Sequence, residues 1–234
     1  MAVEEEREVV VVGGGIAGLA AAWRLRHRDV LLLEAGDRLG GRLRSERRGA
    51  YWLSYGAHLF PGPGSLVDGM IRDCGLATAP VTGSMMGLAA GARTHTPGRV
   101  FDLFTNQAHT LRNGARAPGG SLMLFAGGHG AAALLAEPDE AIVARFLADL
   151  HDLYPQTRGL IADARVQSWT LGNVYAHPGR HALQPALEGP LGPHANLHLA
   201  GDYFAELGNM EAAARTGVLA AERIDDDLRG ARDG

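Results

Sequence analysis

Val9-Val10-Val11-Val12-Gly13-Gly14-Gly15-Ile16-Ala17-Gly18-Leu19-Ala20-Ala21-Ala22-Trp23 opens as a β-branched run and breaks into glycine. The run reads as a strand buried on both faces. Gly15 to about Arg28 reads as a helix, with Ile16, Leu19, Ala20, Trp23 and Leu25 at packing positions. Val30 to Glu34 reads as a second buried strand, which completes a βαβ unit in about 30 residues. The spacing Gly13-x-Gly15-x-x-Gly18, after a strand and at the start of a helix, is a dinucleotide fingerprint, with Glu34 as its acidic partner. Gly13 permits the tight turn, Gly15 lets a pyrophosphate approach the main chain, and Gly18 lets the helix pack on the sheet. The helix start, through Ile16 and Ala17, offers unpaired N–H groups to phosphate.

Outward from this unit, Gly36 to Gly49 reads as loop and Tyr51 to His58 as a short strand and turn. Pro61-Gly62-Pro63-Gly64 marks a turn, and Ser65 caps a helix that runs to Cys74. Segments 85–90 and 92–96 read as a hairpin around Gly91; Val100 to Thr105 and Ser121 to Phe125 read as strands. Pro138 to Leu153 is an amphipathic helix, with Ile142, Phe146, Leu150 and Leu153 at helical spacing. Val166 to Tyr175 and Leu197 to Ala200 read as strands, and Asn209 to Leu228 as the last helix. Asp225 to Asp227 reads as a solvated helix end, and Cys74 as a buried helix residue.

Composition narrows the function classes. The 234 residues include 33 glycines, about twice the usual share of roughly 7%. They have no G-X-Y period and sit between apolar runs, so collagen is excluded and a disordered linker disfavoured. All 22 basic residues are arginine, which excludes a Schiff-base lysine and a Walker lysine. A formal net charge of −4 gives no global basic field for nucleic acid. One cysteine excludes an internal disulfide and a cysteine-built zinc site. His177-x3-His181 and His194-x3-His198 lie in Pro/Gly-rich or strand-like sequence, so no metal site is expected. No apolar run reaches the roughly 18 residues of a membrane helix, and the acidic N-terminus has the wrong sign for a secretory leader. The expectation is a cytoplasmic protein with no integral membrane segment and no nucleic-acid partner.

Glu34-Ala35-Gly36-Asp37-Arg38-Leu39-Gly40-Gly41-Arg42 resembles the R-x-G-G-R signature of the FAD-dependent amine oxidases, a superfamily that includes protoporphyrinogen oxidase and the carotenoid desaturases. Leu199-Ala200-Gly201-Asp202, followed by Gly208-Asn209-Met210-Glu211, resembles the same family's second FAD motif, and Tyr55-Gly56-Ala57-His58 its segment near the flavin ring. The resemblance implies an α/β fold: a Rossmann-like FAD-binding domain with a parallel central sheet, plus a small remnant α+β substrate domain. It implies three segments: 1–96 and 195–234 as the two parts of the FAD-binding domain, and 97–194 as the remnant. It also implies FAD as cofactor. The binding residues would be Gly13, Gly15, Ile16, Ala17, Gly18, Glu34, Ala35, Arg38, Gly40, Gly41, Arg42, Gly56, Ala57, His58, Gly201, Asp202, Met210 and Glu211. Arg42 would neutralise the pyrophosphate, Asp202 would bind the ribityl or phosphate region, and the helix start at Met210 would point N–H groups at the flavin. His58 either faces the ring or is structural. Trp169 and Tyr175 either line a substrate cavity or, for Trp169, pack in the core.

The family pattern is not complete in this chain. The residues before 97 resemble the early part of the family, and those after 101 resemble its last third, which implies an internal deletion of the substrate domain. The lysine that many amine oxidases hold near flavin N5 is absent. The expected activity is hydride transfer from an amine or polyene-like small molecule to flavin. The alternatives are a non-catalytic or partner-dependent flavin-binding protein, and a flavoprotein of redox-neutral isomerisation. Surface left by a missing cap gives the expectation of a homodimer. No catalytic residue is assigned.

Overall fold

The computed structural model describes residues 6–48, 51–78, 99–107, 119–175, 177–188, 196–205 and 207–233. The chain divides into two compact units: Met1–Arg44, Gly56–Thr78 and Asn173–Gly234 form the first, Ser45–Tyr55 and Ala79–Gly172 the second. These divisions fall at other points than the three segments expected from sequence.

The first unit holds the Rossmann-like start. Strand β1 (Val9–Val12) and strand β2 (Val30–Leu33) pair in parallel, Val9 opposite Val30 and Val12 opposite Leu33. Helix α1 (Ile16–Arg24) connects them. The inner face packs: Val9 joins Ala21, Leu25 and Ala221, with Val11, Val30, Ile224 and Leu228 against them. The outer face does not. Val10, Val12 and Leu33 are 49%, 82% and 47% exposed, so the expectation of strands buried on both faces is corrected. The reason is period-2 alternation: among the described residues only one face of the β1–β2 pair meets the helices. Trp23, expected to pack, is also exposed, with the Arg26 guanidinium over its ring at 4.7 Å.

Helix α2 (Leu66–Asp73) starts where Ser65 Oγ accepts from Asp68 N–H at 3.1 Å, a cap worth about 1 kcal/mol. It ends with the Gly75 N–H on Arg72 O and the Leu76 N–H on Ile71 O, Gly75 taking φ +67° as this ending requires. That exit carries Cys74 to the surface, which corrects its expected burial. A later helix, α5 (Arg180–Glu188), and the long helix α6 (Met210–Asp233) complete the unit. Helices α1 and α6 meet closely at Gly217, where any β-carbon would collide with the Ala17 carbonyl oxygen. Buried Asp225 on α6 accepts from Arg28 Nε at 2.8 Å and contacts His27 Nε2 at 3.0 Å. It is therefore a buried anchor rather than part of a solvated helix end. Leu197 to Ala200 joins no ladder among the described residues; the Gly201 N–H bonds Thr216 Oγ1 instead.

The second unit contains two antiparallel pairs. Strand β3 (Ser45–Arg48) pairs with β4 (Tyr51–Ser54), and β5 (Leu103–Asn106) with β6 (Leu122–Phe125). Strand β3 lies inside a stretch read as loop, since Ser-Glu-Arg-Arg has little β propensity and is held by its partner. Buried Gln107 joins the two pairs: its amide exchanges bonds with Ser54 and accepts from Ser121 Oγ. Helices α3 (Gly128–Leu134) and α4 (Asp139–Leu153) come next in the chain. Arg99 pairs with Asp149 and Asp152 on α4, and Phe101 stacks on Phe146 at 5.9 Å. The second unit's share of the segment expected as a strand at 166–175, residues 166–172, is irregular, since no partner strand faces it among the described residues. The hairpin expected around Gly91 lies outside the described residues.

Candidate functional site

In the first unit the turn between β1 and α1 is set by hydrogen bonds. Gly13, at φ +103°, donates its N–H to Leu33 O at 2.7 Å. Gly14 donates to Glu34 Oε2 at 2.7 Å, and Gly36 N–H to Glu34 Oε1 at 2.8 Å. These two donors, Gly36 first, together with Arg38, hold the Glu34 carboxyl below the ordinary carboxylate range. Each carboxylate oxygen keeps further acceptor capacity for a ribose hydroxyl.

Gly15 caps α1 with no side chain, and a β-carbon there would meet nothing within 4 Å. The amides of Gly15, Ile16 and Ala17 donate to no group among the described residues. Gly18 has the opposite constraint: a β-carbon would collide with Gly13 O, which is the close helix packing expected of it. The fit to a dinucleotide phosphate is therefore physical: open space, free donors and a positive helix end coincide.

A second turn closes over this one. Gly40 N–H donates to Gly14 O at 2.7 Å, with Gly40 and Gly41 both at positive φ, +102° and +55°. A β-carbon on Gly41 would lie 3.2 Å from Gly15 Cα. Arg38 does not extend toward the α1 start but folds onto this turn, bonding the carbonyls of Leu39, Gly41 and Leu43. Arg42 Nη2 reaches Asp202 Oδ1 at 2.6 Å. Asp202 is buried in the short 3-10 turn Asp202–Phe204, and Gly208 approaches so closely that a β-carbon would sit 2.7 Å from Asp202 Oδ2. Ala57 N–H donates to Arg42 O, while His58 Nδ1 contacts Gly56 O at 2.8 Å.

At the start of α6, Asn209 Oδ1 accepts from the Ala212 N–H at 2.8 Å. The Met210 and Glu211 amides have no acceptor among the described residues. Their side chains are committed elsewhere. Met210 is buried with Ala20, Val67 and Ala214. Glu211 accepts from the Leu66 and Val67 N–H groups, each at 3.0 Å, and from Arg215. Burial pushes this carboxyl up, but those three donors outweigh it and hold it below the usual range. Sequence reasoning missed this capping of α2, the Asn209 cap on Ala212 N–H, and also Thr216 and Gly217. A glycine inside an alanine-rich helix was the available signal for the last.

The cavity candidates fall in separate units. Trp169, in the second, donates its indole N–H to Tyr55 O at 2.9 Å. Tyr175, in the first, is 80% exposed. A cavity of about 140 Å³ in the second unit, lined by Leu122, Leu150, Tyr154, Gln156 and Thr157, is too small for a typical organic ligand. Among the described residues no three His, Cys, Asp or Glu gather as a metal would require.

Residues 11–73 match the NAD(P)-binding Rossmann-like domain family, and residues 90–225, more than half the chain, match the family described as flavin containing amine oxidoreductase. Coproporphyrinogen III oxidase of Staphylococcus aureus is 27% identical over 121 residues, 50% of this chain and 22% of that protein. Polyamine oxidase 1 of Oryza sativa subsp. japonica is 42% identical over 79 residues, 31% of this chain and 15% of that protein. The matched stretch thus spans less than a quarter of either relative. A redesigned putrescine oxidase structure aligns over 94% of this chain and 44% of its own, at 20% identity and a TM-score of 0.30.

Proposed function

The chain belongs to the flavin-containing amine oxidoreductases, and from that membership we propose that it binds FAD and oxidises a small amine- or polyene-like molecule. The observation that carries the reading is the open main-chain face at Gly15, with unbonded amides beside it and the Glu34 carboxylate on the same turn. The amides of Gly15, Ile16 and Ala17 would take the pyrophosphate, and Glu34 the ribose hydroxyls. Arg42 and Asp202 stand as a pair that would share charge with the phosphates and the ribityl chain. The free amides of Met210 and Glu211 would meet the flavin, where a helix start favours negative charge.

FAD, when bound, would supply two-electron redox chemistry, taking up the hydride released from a substrate C–H bond as a C=N or C=C bond forms. This chain's residues supply binding and orientation. The sequence has no lysine, so no residue of this chain would hold a water for the reaction as a lysine does in many of the resembled oxidases. A cytoplasmic site of action and a second copy of the chain belong to the same reading. No helix of the described residues is long and apolar enough to cross a membrane.

The second reading is a non-catalytic or partner-dependent flavin-binding protein, favoured by the exposure of Tyr175 and the commitment of the Trp169 indole N–H to Tyr55 O. The visible spectrum of the purified protein tests the binding claim: oxidised-flavin bands are expected, and a protein that stays colourless with added FAD overturns it. Anaerobic bleaching by amines or polyenes is then expected of an oxidase. Flavin that no donor bleaches decides for the partner-dependent reading.

A further inference from the structure

Arg38 lies in the segment expected to bind cofactor, yet its guanidinium is spent on its own loop. Nη1 donates to Leu39 O at 3.1 Å and to Leu43 O at 2.9 Å, and Nη2 donates to Gly41 O at 2.5 Å. Gly40 and Gly41 hold two consecutive positive φ values, so the main chain doubles back and turns carbonyls inward. A fixed planar fork suits several acceptors at once. The same turn sits on the phosphate loop: Gly40 N–H bonds Gly14 O, and Gly41 lies against Gly15 Cα.

We infer that Arg38 is a positioning residue, which locks the Gly40–Gly41 turn onto Gly14 and Gly15 and so presets the main-chain face that receives the pyrophosphate. The inference rests on the FAD-binding reading but assigns Arg38 no contact with the cofactor. Its charge answers carbonyl dipoles, and its geometry matters more than its charge. Lysine is a point donor on a flexible stem and cannot span three carbonyls as the fork does.

The test compares Arg38→Lys and Arg38→Met with the wild-type protein. FAD affinity is followed by quenching of flavin fluorescence, and exchange of the Gly40 amide by NMR without FAD. Both variants are expected to lose about tenfold in affinity, the equivalent of one charge-assisted hydrogen bond. Both are expected to exchange the Gly40 proton at least about tenfold faster, since the Gly40–Gly14 bond opens more often. Arg38→Lys holding wild-type affinity while Arg38→Met loses it marks a direct charge contact and overturns the inference. Unchanged Gly40 exchange in both variants overturns it as well. A wild-type protein that takes up no FAD defeats the binding reading instead, and the exchange measurement still reports on Arg38.

Discussion

Arg42 and Asp202 are 160 residues apart in sequence and form an ion pair with Nη2 2.6 Å from Oδ1. Asp202 is buried while Arg42 remains half-exposed. Losing Arg42 therefore leaves a buried carboxylate without its partner. Arg42→Met is expected to cost about 1–3 kcal/mol of unfolding free energy. Arg42→Met with Asp202→Asn should cost less than the two single changes summed. Urea unfolding of all four proteins checks this; strict additivity would show that the pair is not energetically coupled.

The glycines separate binding from folding. Gly15 has φ −70° and open space for a β-carbon, so Gly15→Val is expected to fold and to lose FAD. Gly18→Ala and Gly217→Ala drive a methyl into a main-chain carbonyl and are expected to lower the melting temperature. Flavin content and thermal melts on the three variants give the contrast. Undiminished flavin in Gly15→Val refutes the phosphate-loop assignment.

Glu211 serves the structure through its carboxylate. Glu211→Ala removes the acceptor of the Leu66 and Val67 amides at the start of α2 and is expected to destabilise by about 2–3 kcal/mol. Denaturant melts check the magnitude. A melt within about 0.5 kcal/mol of the wild type would contradict the capping role.

Three carboxyls set the acid limb of stability. Arg28 hydrogen bonding, then His27 and the nearby Arg229 charge, outweighs burial and holds Asp225 below its usual range. Glu34 and Glu211 are lowered by their amide donors, against burial. A lowered folded pKa gives stability that is present above the unfolded carboxylate pKa, about 4, and lost as pH falls through the lower folded value. Stability is therefore expected to fall as the pH drops below about 4. Asp225→Asn should flatten that fall, because its share is gone at every pH. An unaltered acid limb in the variant would remove Asp225 from the account.

Cys74 is exposed at the end of α2. A thiol-reactive reagent is expected to label it fully in the native protein, without denaturant. Labelling that waits on unfolding would contradict its placement.

Local chemistry made the start of the fold legible. A β-branched run, glycines at set spacing and an acidic residue at the next strand end dictate a turn, a helix start and a parallel pair, since each is fixed by neighbours within about 30 residues. The R-x-G-G-R segment was legible through its resemblance to the amine oxidase family. The family was legible through motifs at both ends, which the matches over 11–73 and 90–225 bear out. Only the tertiary structure decided where charges and surfaces end up. Arg42 is neutralised by Asp202, Glu211 caps a helix 144–145 residues earlier in the chain, and Asp225 is buried by Arg28 across 197 residues. Cys74 and the outer face of β1 are exposed for want of a covering layer among the described residues. A side chain's burial and its partner belong to whatever the chain folds against it, and no spacing within a single segment encodes that.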